Sequence, residues 1–181
     1  RTVGQQTLEG PDRTISVDAR QAFIDDVRDA LWSAKVVAYA QGLDEIRIAA
    51  VEYNWEVDMG QVASIWRDGC IIRARLLQRI KDEYAAGDLT TLLEAPSVKA
   101  ELARCQQAWR RVVARAVEAG VPVPGFSSAL GYYDQVRAPR LNAALTQGLR
   151  DLFGAHTYRR VDDEGSWHVN WSGDGREVRV D

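Results

Sequence analysis

The chain holds only two cysteines, two histidines and one methionine in 181 residues. Cys70 and Cys105 cannot make a disulfide framework, and two histidines leave little for a metal site, so no metal is expected. No apolar run approaches the roughly 20 residues needed to span a bilayer. The opening Arg1-Thr2-Val3-Gly4-Gln5-Gln6 has neither an apolar signal core nor an initiator Met. A cytoplasmic chain is expected, cut from something larger or processed. A large charge of either sign is also absent. The formal net charge is −3, which gives no reason to expect nucleic acid or an anionic membrane as partner. Missing too are a P-loop, a zinc spacing, a nucleophile elbow and the strand, glycine turn and helix that grip a dinucleotide. Short repeats and low-complexity stretches do not occur.

What is present is helix. Hydrophobic residues make up 46% and charged residues 27%, ordinary for a globular chain long enough to bury a core unaided. Residues 1–16 read as an irregular lead-in, with Ser16 or Asp18 as candidate cap of a long helix. From Phe23 through Val27, Ala30, Ala34 and Val37 to about Tyr53 the apolar spacing is three to four, which predicts a buried central strut. Asp58 caps a short helix to about Arg67, and Gly69 breaks it. Cys70–Ala86 is the next helix, striped by Ile71, Ile72, Leu76, Leu77, Ile80 and Tyr84. After a connector through Leu92 and Pro96, Ser97 caps a helix from Val98 to about Ala119, closed by Gly120 and Pro122. Pro122 and Pro124 fix an extended link. Ser127 or Ser128 starts a helix to about Val136, and Pro139 another to about Leu152. Tyr158–Asp162 and Ser166–Trp171 are β-compatible around a turn at Asp163-Glu164-Gly165. Ser172–Asp181 reads as a flexible tail. The fold class is therefore all-α, with a long central helix and a C-terminal tail carrying a short hairpin.

One stretch stands out for chemistry: Arg150-Asp151-Leu152-Phe153-Gly154-Ala155-His156-Thr157-Tyr158. Arg offers a planar fork of donors that suits phosphate. His donates to anionic oxygens and changes charge near neutral pH. Gly154, between them, allows a turn that other residues resist. Two readings stay open on these residues alone: an anion grip, or a helix C-terminus with a solvated Arg, a glycine cap and a packed His. Elsewhere Lys35 reads as a helix-surface lysine. Trp66 reads as a packing anchor, with Arg67 beside it paired to an acid. Arg73 faces either solvent or a substrate cavity. Cys70 and Cys105 read as packed thiols. Trp109-Arg110-Arg111 belongs to an amphipathic helix, and His168 orders the tail hairpin.

Four segments in register carry a resemblance. They are Ala34–Gly42 (AKVVAYAQG), Ile65–Arg73 (IWRDGCIIR), Pro122–Leu130 (PVPGFSSAL) followed by Tyr132-Tyr133-Asp134, and Arg150–Tyr158. Together they resemble the C-terminal half of the decarboxylating 6-phosphogluconate dehydrogenase family, from Arg1 to about Trp171. The resemblance implies an enzyme of the pentose phosphate pathway and gluconate utilization. Such enzymes are cytoplasmic homodimers that oxidise 6-phosphogluconate with NADP or NAD and release carbon dioxide to give ribulose 5-phosphate. It implies a helical domain for dimerisation and substrate over 1–153, truncated at its N-terminus, and a tail over 154–181 that crosses to the partner subunit. By motif match, Arg150 and His156 reach the phosphate end of the substrate held by that partner.

The family's Rossmann domain and its catalytic lysine and glutamate lie upstream of Arg1 by the same match. No catalytic residue is therefore assigned here, and no cofactor is expected on this chain alone, which is predicted inactive for want of a base and a nicotinamide. The alternative is a stand-alone, non-catalytic helical dimerisation module of the same fold. The chain departs from the family pattern at Gly148-Leu149, where Ala-Gln is usual, at Leu152 for Tyr, and at Asn142 and Ala144 for Pro and Asn. Gly148 is expected to weaken its helix by roughly 1 kcal/mol relative to Ala.

Overall fold

The computed structural model describes residues 2–12 and 20–181. Among them are seven α-helices and one antiparallel two-stranded ribbon, so the all-α expectation holds. In chain order these are α1 (Thr2–Thr7), α2 (Arg20–Glu52), α3 (Met59–Ile65), α4 (Arg75–Ala86), α5 (Pro96–Glu118), α6 (Pro124–Arg137), α7 (Ala143–Gly154), β1 (Trp167–Val169) and β2 (Glu177–Arg179). The chain forms two compact units, Arg1–Asp134 and Gln135–Asp181.

The first unit is organised by α2, whose 33 residues span roughly 50 Å. Its candidate caps Ser16 and Asp18 lie outside the described residues. Ala30, Ala34, Val37, Ala40 and Leu43 line its buried stripe, and α5 packs along it with Val98, Leu102 and Trp109. The strut is buried on one side only, because Ile24, Leu31, Ile48 and Val51 are exposed. Ion pairs flank the seam: Arg111 holds Asp26 at 2.6 Å, and Arg104 holds Asp29 at 2.8 Å. The hydrogen bond from Arg111 holds the Asp26 carboxyl below its ordinary range. Trp109 is fully buried and donates its indole N–H to the Phe126 carbonyl at 3.2 Å, which docks the start of α6. Asp44 ties α2 to the connector before α5, accepting from Thr91 at 2.8 Å.

Several boundaries differ from those read in the sequence. Thr2–Thr7 is helical, not irregular. The Asp58 cap is as expected, its carboxylate accepting from the Gln61 N–H at 2.9 Å, and Gly69 sits at φ 66°. The helix after it starts at Arg75 rather than Cys70, since Cys70–Arg73 forms a turn closed by Arg73 N–H to the Cys70 carbonyl. Ile71 on that turn is wholly exposed. Ser97 does not cap α5. Pro96 takes the first position, Ala95 precedes it, and the Ser97 hydroxyl instead links Arg79 and Glu83. Pro124 opens α6, ahead of Ser127 and Ser128, whose hydroxyls bond back to the Pro124 carbonyl. Pro139 precedes α7 by four residues and does not start it.

In the second unit α7 packs against β1. β1 pairs with β2 in the register Trp167–Arg179, His168–Val178 and Val169–Glu177. Part of the presumed flexible tail is thus a strand. Tyr158 contributes one bridge, exchanging both backbone hydrogen bonds with Trp167 at 2.8 and 2.9 Å. The outer face of α7 leaves Leu145, Leu149, Leu152 and Phe153 exposed. Their four, three and one spacing makes an apolar stripe. No helix among the described residues is long and apolar enough to cross a membrane.

Candidate functional site

Arg150 sits near the end of α7 and His156 just beyond it, and both side chains are exposed. The helix hands over to the tail through two left-handed residues, Ala155 at φ 51° and Thr157 at φ 58°, which bracket His156. The sequence assigns that freedom to Gly154. The structure places Gly154 as the last helical residue and gives it a different task. A Cβ there would lie 2.8 Å from His156 Nε2, so the missing side chain makes room for the imidazole.

Left-handed backbone costs a non-glycine residue on the order of 1 kcal/mol or more and persists only where the surroundings hold it. Here the holding is explicit. The Ala155 N–H closes on the Asp151 carbonyl at 2.9 Å, and the Thr157 N–H on Asp151 Oδ1 at 2.9 Å. Asp151 is fully buried and uses both carboxylate oxygens. Oδ1 also meets His168 Nδ1 at 2.9 Å, while Oδ2 accepts from the Val169 N–H at 3.0 Å and from the Trp171 indole N–H at 2.8 Å. Burial alone would raise this carboxyl, but the four donors outweigh it and hold it down at about 2. His168 orders the hairpin, as expected, and does so through Asp151.

Gln147, one turn before Arg150, completes the arrangement. Its carbonyl accepts from Arg150 Nη1 at 3.2 Å. Its amide donates to the Thr157 carbonyl at 2.5 Å and reaches the His156 carbonyl at 3.5 Å. Sequence reading gave no role to Asp151 or Gln147. The available signal was an acid in the last turn of a helix, where the macrodipole disfavours it.

The remaining candidates lie in the first unit. Lys35 is exposed on α2. Trp66 packs against Tyr39 with ring centroids 6.0 Å apart, and Tyr39 also donates to the Ile72 carbonyl at 3.3 Å. Two of the four sequence segments thus meet at Tyr39. Arg67, expected to pair with an acid, is seen among the described residues to donate to Gln78. Arg73, held out on the Cys70–Arg73 turn, lines an open cavity of about 610 Å³ with Arg67, Arg75, Asp68 and Gln78. Three guanidiniums against one carboxylate suit an anion. A cavity of about 650 Å³ near the end of α2 has the opposite balance, Arg47 against Glu56, Asp58 and Asp88. Cys105 is buried, and burial pushes its thiol up, whereas Cys70 is only half-buried on its turn. In the Trp109-Arg110-Arg111 run, Arg110 pairs with Asp134 and Arg111 with Asp26.

The described residues contain no strand–helix–strand unit of the dinucleotide-binding kind. Their only strands are β1 and β2, antiparallel neighbours of three residues each, with no crossover helix between them. No group of three or more His, Cys, Asp or Glu among them is placed to hold a metal ion.

Known proteins match along nearly the whole chain. A family model described as 6-phosphogluconate dehydrogenase, C-terminal domain, matches residues 1–171. The decarboxylating 6-phosphogluconate dehydrogenase of Escherichia coli is 48% identical over 94% of this chain and 36% of its own length. A chloroplastic form from rice is 47% identical over 88% of the chain and 31% of its own length. A solved structure of Plasmodium falciparum 6-phosphogluconate dehydrogenase, described in apo form and in complex with its cofactor NADP+ and its substrate 6-phosphogluconate, superposes with a TM-score of 0.82. It has 33% identity, over 94% of this chain and 37% of that one. The chain spans about a third of the length of the relatives it matches.

Proposed function

The chain belongs to the 6-phosphogluconate dehydrogenase family, as its C-terminal domain, and from that premise we propose that it serves a decarboxylating phosphogluconate dehydrogenase as a dimer-building and site-completing part. The whole enzyme would oxidise 6-phosphogluconate with NADP or NAD, lose carbon dioxide and yield ribulose 5-phosphate in the cytoplasm. The cofactor and the proton-transferring groups would come from outside this chain. Residues 154–181 would cross to the partner subunit of a homodimer, taking His156 to its substrate beside Arg150 from the end of α7.

The observation that carries this reading is that Arg150 and His156 are exposed while the buried Asp151 carboxylate fixes the residue directly after His156. A guanidinium with most of its fork open at the end of α7, and a histidine on the fixed turn beyond it, suit an anion that this turn does not itself enclose. The same chain offers an arginine-lined cavity at Arg67, Arg73 and Arg75, whose charge suits a phosphorylated acid bound to that subunit. The exposed stripe of α7 supports burial against a second copy.

The decisive experiment is steady-state kinetics on the complete enzyme. Arg150→Ala removes a charge-assisted hydrogen bond and is expected to raise the KM for 6-phosphogluconate about 10- to 100-fold. An unchanged KM would overturn the assignment. The 181-residue chain alone is expected to reduce no NADP in the presence of substrate, and measurable reduction would refute the division of labour.

A further inference from the structure

We infer that Gln147 is a positioning residue for the substrate contact, coupling the Arg150 guanidinium to the backbone that carries His156. The inference rests on the functional reading above. It adds a residue that touches neither phosphate nor cofactor.

A primary amide offers an acceptor and a donor on one rigid plane. Gln147 uses both, in opposite directions. Its carbonyl takes Arg150 Nη1 at 3.2 Å, three residues ahead on the same helical face. Its amide donates at 2.5 Å to the carbonyl of Thr157, ten residues on. Thr157 is the left-handed residue immediately after His156, and its own N–H is fixed by Asp151. One end of the amide therefore rests on an anchored peptide and the other orients a flexible arginine. Only one guanidinium nitrogen is used by Gln147, which leaves the rest of the fork for a ligand. Without this strut Arg150 is a free surface side chain that must be ordered on each binding event, a cost that appears in substrate affinity.

The side chain available at 147 determines which halves survive. Gln147→Glu keeps an acceptor for Arg150, loses the donor to Thr157, and sets a carboxylate in competition with the substrate phosphate. Gln147→Ala loses both halves at a helical, partly exposed position where alanine is well tolerated.

The test is kinetics on the complete enzyme with 6-phosphogluconate as varied substrate, for Gln147→Ala, Gln147→Glu, Arg150→Ala and the double variant Gln147→Ala/Arg150→Ala. Gln147→Ala is expected to raise KM about 3- to 10-fold with kcat held within about twofold, and Gln147→Glu to raise KM at least as far. Added to Arg150→Ala, the Gln147→Ala change is expected to shift KM by less than about twofold, because it acts through the arginine already removed. The inference is overturned if Arg150→Ala raises KM and Gln147→Ala does not, if kcat falls in place of a KM rise, or if the two changes are fully additive. Should Arg150→Ala itself leave KM unchanged, the functional reading fails and this inference with it.

Discussion

Asp151 and His168 stand 2.9 Å apart across 17 residues of sequence, the carboxylate sealed from solvent and the imidazole borne on β1. Three further donors converge on the same carboxylate, so the end of α7 and the tail are one electrostatic unit.

That unit has a defined acid limit. The Asp151 carboxyl is held down at about 2 against an ordinary 3.8. A carboxyl lowered by folding contributes stability that is fully present above its unfolded pKa and is lost as pH falls through the folded one. The hairpin is therefore expected to loosen progressively from about pH 4 towards pH 2. The contribution at neutral pH is on the order of 1 kcal/mol. Near-ultraviolet dichroism and tryptophan emission follow it, because Trp171 is itself a donor to the carboxylate. A hairpin signal unchanged down to pH 2 would contradict it.

Asp151→Asn preserves shape and removes half the acceptors. At least one donor then faces an NH2 group. The expected loss is about 2–4 kcal/mol of hairpin stability, the cost of buried groups left without partners. Hydrogen exchange at the Val169 and Thr157 amides reads it directly. Protection retained at both amides would show that packing, not the carboxylate, holds the tail.

The sequence showed the helices through their apolar spacing and failed where tertiary partners decide. Ile71 and Ile72 extend the α4 spacing backwards with no glycine or proline after Cys70 to stop it, yet the turn there is fixed by Tyr39 bonding the Ile72 carbonyl. Ser97 has the right chemistry to cap α5 but is committed to Arg79 and Glu83 on α4. Glu177–Arg179 is exposed on both faces, so no alternation marks it as a strand, and its pairing with β1 is what makes it one. Arg150 and His156 stand out by motif. Asp151 shows in the sequence only as an ill-placed acid, and Gln147 not at all, because their partners lie up to 20 residues away, or on the backbone.

Two glycines of α7 are expected to behave oppositely. A Cβ at Gly148 meets nothing within 4 Å, whereas one at Gly154 meets His156 Nε2 at 2.8 Å. Gly148→Ala is expected to add about 0.5–1 kcal/mol to the stability of the chain. Gly154→Ala is expected to fold normally and to displace the histidine, raising the substrate KM of the complete enzyme several-fold. Urea midpoints and kinetics on the pair check both, and identical behaviour would show that His156 needs no such space.

The stripe of Leu145, Leu149, Leu152 and Phe153 is exposed in a single chain. Static light scattering is expected to give the mass of a dimer for the isolated chain, and of a monomer for Leu149→Glu/Phe153→Glu. A wild-type monomer at tens of micromolar would remove the stripe from any interface between copies.

Vectorial synthesis gives the Asp151 hub a temporal meaning. The ribosome makes the carboxylate first, then Thr157, then His168, Val169 and Trp171. Until the last of these emerges, α7 ends on an acid solvated only by water, and the turn bearing His156 has no reason to adopt its left-handed shape. The turn bearing His156 is thus among the last features of the chain to mature, and a message cut short of Trp171 would yield a full complement of helices with that turn unfinished.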